Sequence, residues 1–179
     1  MSPTASTEDA ILDSARELIA RGGYNGFSYA DIASAVGIRK PSIHYHFPAK
    51  EDLVRTLVHR YRLEAEAGLA ALTENAPDPV ERLRGYLSFW SACIADGTMP
   101  ICVCALLASE RPLLPASVAD EVGAHFCTLT AWLATALDSA SEAEVFLATV
   151  HGAMLSARAS ADPTLFALIT DSLLARMSQ

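Results

Sequence analysis

The sequence has no uncharged run long enough to cross a membrane. The longest, Val122 to Leu137, is sixteen residues and holds His125 and three threonines, short of the roughly 20 that a spanning helix needs. No basic segment leads an apolar one at the N-terminus, where Glu8 and Asp9 stand instead, so no export signal is expected. Cysteine is scarce: Cys93, Cys102, Cys104 and Cys127 are too few for a disulfide framework, and reduced thiols in a cytoplasmic protein are the expectation. A glycine-rich phosphate loop, a His-Glu-x-x-His pair and a nucleophile in a recognisable turn are all missing, which argues against an enzyme, a catalytic residue, a cofactor or a resident metal. Strand-like alternation and internal repeats are absent as well. With 51% hydrophobic and 19% charged residues, disorder is excluded as the dominant state.

The net charge of −8 hides an asymmetry. Residues 1–62 carry 8 basic and 7 acidic side chains; residues 63–179 carry 5 and 14. Arg39, Lys40, Lys50, Arg55, Arg60 and Arg62 face only Glu51 and Asp52 within 39–62, and His44, His46 and His59 share that stretch. An acidic chain with one basic segment is a candidate polyanion binder, although a solvated helix face has the same composition.

The pattern is helical nearly throughout. Ser28 with Asp31, Asp78 with Glu81 and Ser141 with Glu144 read as capping boxes. Asp78-Pro79 and Asp162-Pro163 place an acceptor before a proline that opens a helix. Gly22-Gly23, Gly37, Asp96-Gly97 and Arg111-Pro112 read as stops. The result is an all-α fold of about nine helices, at 8–21, 29–36, 40–46, 50–73, 79–95, 100–109, 116–138, 142–159 and 163–177. In the first helix Ile11, Leu12, Ala15, Leu18 and Ile19 form one apolar stripe. The last is apolar on more than one face, and the eighth is rich in small residues (Ala148, Gly152, Ala153, Ser156, Ala157), a pairing that suggests a homodimer interface.

Residues 28–47 specify a helix-turn-helix. Ile32, Ala33 and Val36 give a short capped helix its buried side, Gly37 supplies a left-handed turn, Ile38 fills the crossing, and a second helix opens with Arg39, Lys40 and Ser42. From Gly23 to Leu53, including Ile-His-Tyr-His-Phe-Pro-Ala-Lys-Glu-Asp-Leu, the segment resembles the DNA-binding region of the TetR family of bacterial repressors. The resemblance implies a three-helix DNA-binding head at 1–49. It also implies a helical ligand-binding and dimerisation body at 50–179, whose last two helices pair with a partner subunit.

The resemblance also implies roles for single residues. Ser28 caps the second helix, whose N-terminus approaches a phosphate. Arg39, Lys40, Pro41, Ser42 and His44 face the major groove, Tyr45 and His46 meet the DNA backbone, and Lys50 binds a phosphate. His44 stands where tyrosine is commonest. Ala49 replaces the usual Ser or Thr, so the fourth helix loses a cap worth about 1 kcal/mol. Phe47 reads as core, and Tyr29 reads equally as packing or contact. His44 and His46 lie about 200° apart around a helix, too divergent to share a metal.

Beyond about residue 65 no motif identifies itself. The family logic is a repressor released from a palindromic double-stranded operator by a small, mainly apolar effector. Tyr86, Phe89, Trp90, Cys93, Met99, Phe126, Trp132 and His151 are the candidate pocket residues, though ordinary core is the alternative for each. Two other readings stand beside this one: a constitutive DNA-binding dimer without an effector, and a thiol sensor of oxidants, electrophiles or soft metals built on Cys102 and Cys104. Against the thiol sensor, positions i and i+2 of a regular helix diverge, no basic cluster lies near the cysteines, and small buried hydrophobes account for them.

Overall fold

The computed structural model describes residues 6–177, and among these the elements are helices joined by turns. They are α1 (Thr7–Gly22), α2 (Tyr29–Val36), α3 (Lys40–His46), α4 (Lys50–Asn75), α5 (Pro79–Asp96), α6 (Val103–Ser109), α7 (Ala116–Leu137), α8 (Ala140–Ala159) and α9 (Thr164–Met177). Short 3₁₀ turns at Tyr24–Gly26 and Arg111–Leu113 complete the order. None of these helices is long and apolar enough to cross a membrane.

Packing divides the chain into two compact units. The first runs to Tyr61 and takes in Val103–Gly123; the second is Arg62–Cys102 with the chain from Ala124 onward. Two of the three boundaries fall inside α4 and α7, and the third at the start of α6.

In the first unit, α1 starts at Ser6, whose hydroxyl accepts the Asp9 N–H at 3.1 Å while the Asp9 carboxylate accepts the Ser6 N–H. Its stripe is buried at Ile11, Leu12, Ala15 and Ile19. Ile32 of α2, Ile43 of α3, Leu53, Val54 and Val58 of α4 are fully buried too; each such side chain contributes about 1.5–3 kcal/mol relative to exposure. Two ion pairs tie α4 to α1, from Arg60 to Asp9 (3.1 Å) and to Asp13. Placing α6 and the first turns of α7 in this unit departs from their sequence position, and side chains account for it. Ser117 donates to Glu51, and His59 Nδ1 lies 3.4 Å from Glu121.

In the second unit, Phe166 and Leu174 of α9 are buried, as are Phe146, Val150 and Met154 of α8. Trp132 Nε1 donates to Thr73 Oγ1 at 2.9 Å.

Two expectations need correction. The eighth helix is capped by Ser139, which accepts the Glu142 N–H at 3.2 Å, and not by Ser141. Asp138, at φ 50°, breaks the chain just ahead of it. The sixth helix begins at Val103, so Cys102 precedes it and the divergence of i and i+2 in a regular helix does not apply to the cysteine pair.

Candidate nucleic-acid interface

The helix-turn-helix is built by local chemistry. Ser28 Oγ accepts the Ala30 N–H at 3.2 Å, and the Asp31 carboxylate accepts from the Ser28 N–H at 2.7 Å. That capping box fixes where α2 starts and leaves Ser28 exposed. The bonds from the Ser28 hydroxyl and then the Ser28 N–H hold the Asp31 carboxyl below the usual carboxylate range. Gly37 ends α2 at φ 74°, ψ 31° and donates to the Ala33 carbonyl, a conformation that any Cβ would strain. Arg39 is then extended, Pro41 sits in the first turn of α3, and Ile43 anchors that helix in the core.

What remains of α3 is presented outward. Arg39, Lys40, Pro41, Ser42, His44 and Tyr45 are all exposed, Tyr45 to 85%. Pro41, Ser42, Tyr45 and the half-buried His46 line an open groove with Ile38 and Thr7. Arg39, Lys40 and Ser42 among them carry hydrogen-bond donors, the side-chain chemistry that groove readout uses.

Behind this row stands a fixed frame. The Tyr29 hydroxyl donates to the Phe47 carbonyl at 2.9 Å, and the Tyr29 ring meets His44 edge-on at 4.8 Å. Burial, with Asp52 and Tyr24 behind it, pushes the Tyr29 phenol up to about 12, so it remains a donor at neutral pH. Phe47 is 4% exposed and belongs to the core. His44 Nδ1 lies 3.3 Å from the Pro48 carbonyl, and His46 lies 3.8 Å from Glu8. At Ala49 the hydroxyl half of a capping box is missing and the other half is present: the Asp52 carboxylate accepts the Ala49 N–H at 3.3 Å.

Lys50 sits differently from the exposed row. Its ammonium donates to the Phe27 carbonyl and lies 4.0 Å from the Phe27 ring centroid and 5.0 Å from that of Tyr24. It is half-buried, and burial lowers its pKa, with Asp31 and Glu110 opposing. Glu110, which sequence reasoning passed over, accepts the Tyr24 N–H at 2.8 Å.

The candidate pocket residues all fall in the second unit, and their exposures differ. Tyr86 and Trp90 are buried, and His151 is 9% exposed with Nε2 lacking a hydrogen-bond partner. Tyr86 packs on Trp132 and Phe146 with centroids 5.8 and 6.5 Å apart, and Phe126 lies 5.1 Å from His151. Cys93 and Met99 are half-buried, and the Met99 N–H donates to the Cys93 carbonyl. Phe89 is 51% exposed, because it is one helical step round from Trp90 and meets it edge-on at 5.5 Å. His125, absent from the candidates, is 2% exposed and carries Nε2 3.8 Å from Cys102 Sγ. Cys127 is exposed, contrary to the expectation of apolar burial. Among the described residues no group of three or more His, Cys, Asp and Glu side chains could hold a metal.

The arrangement has close relatives. Residues 11–57 match the family model described as bacterial regulatory proteins of the tetR family. The chain is 35% identical over 71 residues to the HTH-type transcriptional regulator EthR of Mycobacterium tuberculosis; that match covers 40% of this chain and a third of the length of EthR. A TetR-family transcriptional regulator from Agrobacterium tumefaciens is 55% identical over 94% of this chain and 96% of its own, with a TM-score of 0.92. A TetR transcriptional regulator from Legionella pneumophila is 28% identical over 99% of both chains, with a TM-score of 0.91. Identity of that extent over nearly the whole length, on a helix-turn-helix with this geometry, makes the chain a member of the TetR family of transcriptional regulators.

Proposed function

We propose that the protein is an effector-responsive repressor that binds a palindromic operator as a homodimer and leaves it when a small, mainly apolar molecule enters the body. The carrying observation is the exposed row Arg39, Lys40, Pro41, Ser42, His44 and Tyr45 on a helix whose other side is anchored by Ile43. Direct readout is assigned to Arg39, Lys40, Ser42 and His44, and backbone contact to Ser28, Tyr45 and His46. Lys50 orients the start of α2 through Phe27 as well as supplying positive charge.

The dimer reading rests on a separate observation. Val145, Ala148, Gly152, Leu155 and Ser156 form an exposed stripe on α8, and Leu168 of α9 is 67% exposed. The stripe is uncharged and rich in small side chains, so a second copy could approach closely along it. A two-fold dimer requires a two-fold operator, with its half-sites about one helical turn or a multiple apart. Release by effector is a shift between two dimer populations and requires the effector to prefer the non-binding one.

The test is selection of bound fragments from genomic DNA by the purified protein, with its mass in solution measured alongside. Enrichment of one inverted repeat by a dimer is the expected result. A monomer, or no enriched sequence at all, overturns the proposal.

A further inference from the structure

Tyr24 to Ser28 is a short strap between α1 and α2, and side chains from later in the chain fasten it at both ends. Gly23, at φ 72° and ψ −169°, turns the chain out of α1. Tyr24–Gly26 form one 3₁₀ turn, Phe27 is extended, and Ser28 caps α2. At the far end the Lys50 ammonium donates to the Phe27 carbonyl and lies over the Phe27 and Tyr24 rings. At the near end the Tyr24 N–H donates to Glu110 at 2.8 Å. The rings of Tyr24 and Phe27 are themselves buried.

Glu110 is rigidly mounted. Its N–H donates to the Leu107 carbonyl at 3.0 Å, and its carbonyl accepts the Leu113 N–H at 2.8 Å. Leu107 is fully buried, and Arg111 next in the chain donates to the Ala119 carbonyl at 2.9 Å. A carboxylate carried on a turn fixed on both sides sets the position of the group it binds. All of these residues belong to the first unit.

We infer that Glu110 is a positioning residue for DNA binding. Through the Tyr24 N–H it holds the strap, and with it the Ser28 end of α2, at the setting where that end meets a phosphate. The inference rests on the regulator reading above, which sets Ser28 against the DNA backbone, and deepens it with a residue from outside the helix-turn-helix. Glu110 acts through Tyr24 and not by contact, since its carboxylate repels phosphate. What the Tyr24 N–H requires is an acceptor oxygen, which a side-chain amide supplies as well as a carboxylate does.

The experiment measures binding of the full-length protein to random-sequence duplex DNA, and to fragments selected from genomic DNA, over a range of salt concentrations. Glu110→Ala and Glu110→Gln both remove the charge, but only the second keeps an acceptor oxygen in reach, so the contrast isolates the hydrogen bond. Glu110→Ala weakens binding to both kinds of duplex alike, by about two- to fivefold per subunit, the scale of one anion at a helix N-terminus. It also flattens the dependence on salt, because a phosphate contact is lost. Glu110→Gln restores affinity and slope together. Ile11→Val opens a neutral cavity at a fully buried position of the same unit and controls for lost stability; it leaves the slope as it was, because unfolded chain lowers apparent affinity at every salt concentration alike. Three results overturn the inference: Glu110→Ala binding like wild type, the two Glu110 variants losing equally, or affinity lost at an unchanged slope. Wild-type protein that binds neither kind of duplex overturns the regulator reading instead.

Discussion

Glu110 Oε2 accepts the backbone N–H of Tyr24 at 2.8 Å, joining positions 86 residues apart in sequence. The carboxylate also occupies the space beside Gly23, at φ 72°, where a Cβ would fall on it. Glu110→Ala orphans the Tyr24 N–H and lowers stability by about 1–2 kcal/mol, the scale of one partly buried hydrogen bond to a charged group. Gly23→Ala costs more, since it combines the clash with a backbone conformation, φ 72° and ψ −169°, that is essentially glycine's alone and strains any other residue by about 1–3 kcal/mol. In the double variant the clash vanishes and the strain remains, so the two effects are less than additive. Urea unfolding of the four proteins checks this, and strict additivity would contradict the geometry.

Lys50 spends its ammonium on the Phe27 carbonyl and on two rings. Lys50→Ala therefore weakens binding to operator and unrelated DNA by similar factors, while the dependence on salt falls by less than the full unit of a free phosphate contact. Arg39→Ala and His44→Ala instead relax preference at particular base pairs, by about 1–3 kcal/mol each. Titrations of operator and scrambled duplexes at several salt concentrations separate the cases. A change of base preference in Lys50→Ala would reverse these assignments.

The uncharged stripe on α8 gives a prediction about assembly. Ala148→Glu and Gly152→Arg place a charge where a second copy is proposed to pack, and an unpaired buried charge costs about 3–5 kcal/mol. Both shift the protein toward monomer in sedimentation velocity and lower operator affinity, without changing the helical signal in circular dichroism. A dimer that survives both substitutions would place the interface elsewhere.

Acid acts on the helix caps. Hydrogen bonds from Ser6 and Ser28 hold the Asp9 and Asp31 carboxyls below their ordinary value. A depressed carboxyl stabilises the fold fully above its unfolded value of about 3.9 and ceases to do so as the pH falls through its folded value. Stability thus declines below about pH 4, and Asp31→Asn flattens part of that decline. Urea midpoints measured through this range show it, and parallel curves for the two proteins would rule it out.

The helix-turn-helix was legible because its determinants are local. Ser28 and Asp31 are three apart, Gly37 ends its own helix, and the stripe of α1 repeats at helical spacing. The cap of α8 was misread because Ser139/Glu142 and Ser141/Glu144 present the same pattern two residues apart. Only the backbone turn at Asp138 distinguishes them. Glu110 and His125 were invisible for another reason. Each works on a partner brought near by folding, and neither Glu110 with Tyr24 nor His125 with Cys102 leaves a spacing to read.

The inclusion of Val103–Gly123 in the same unit as α1 to α3 bears on how such proteins are recombined. A hybrid cut at 49/50 would carry away α3 and leave behind Glu110 and Arg60, the partners of Tyr24 and of Asp9 and Asp13. Moving α3 together with the unit that holds it onto another body calls for two grafted segments, one through Tyr61 and one from Val103 to Gly123.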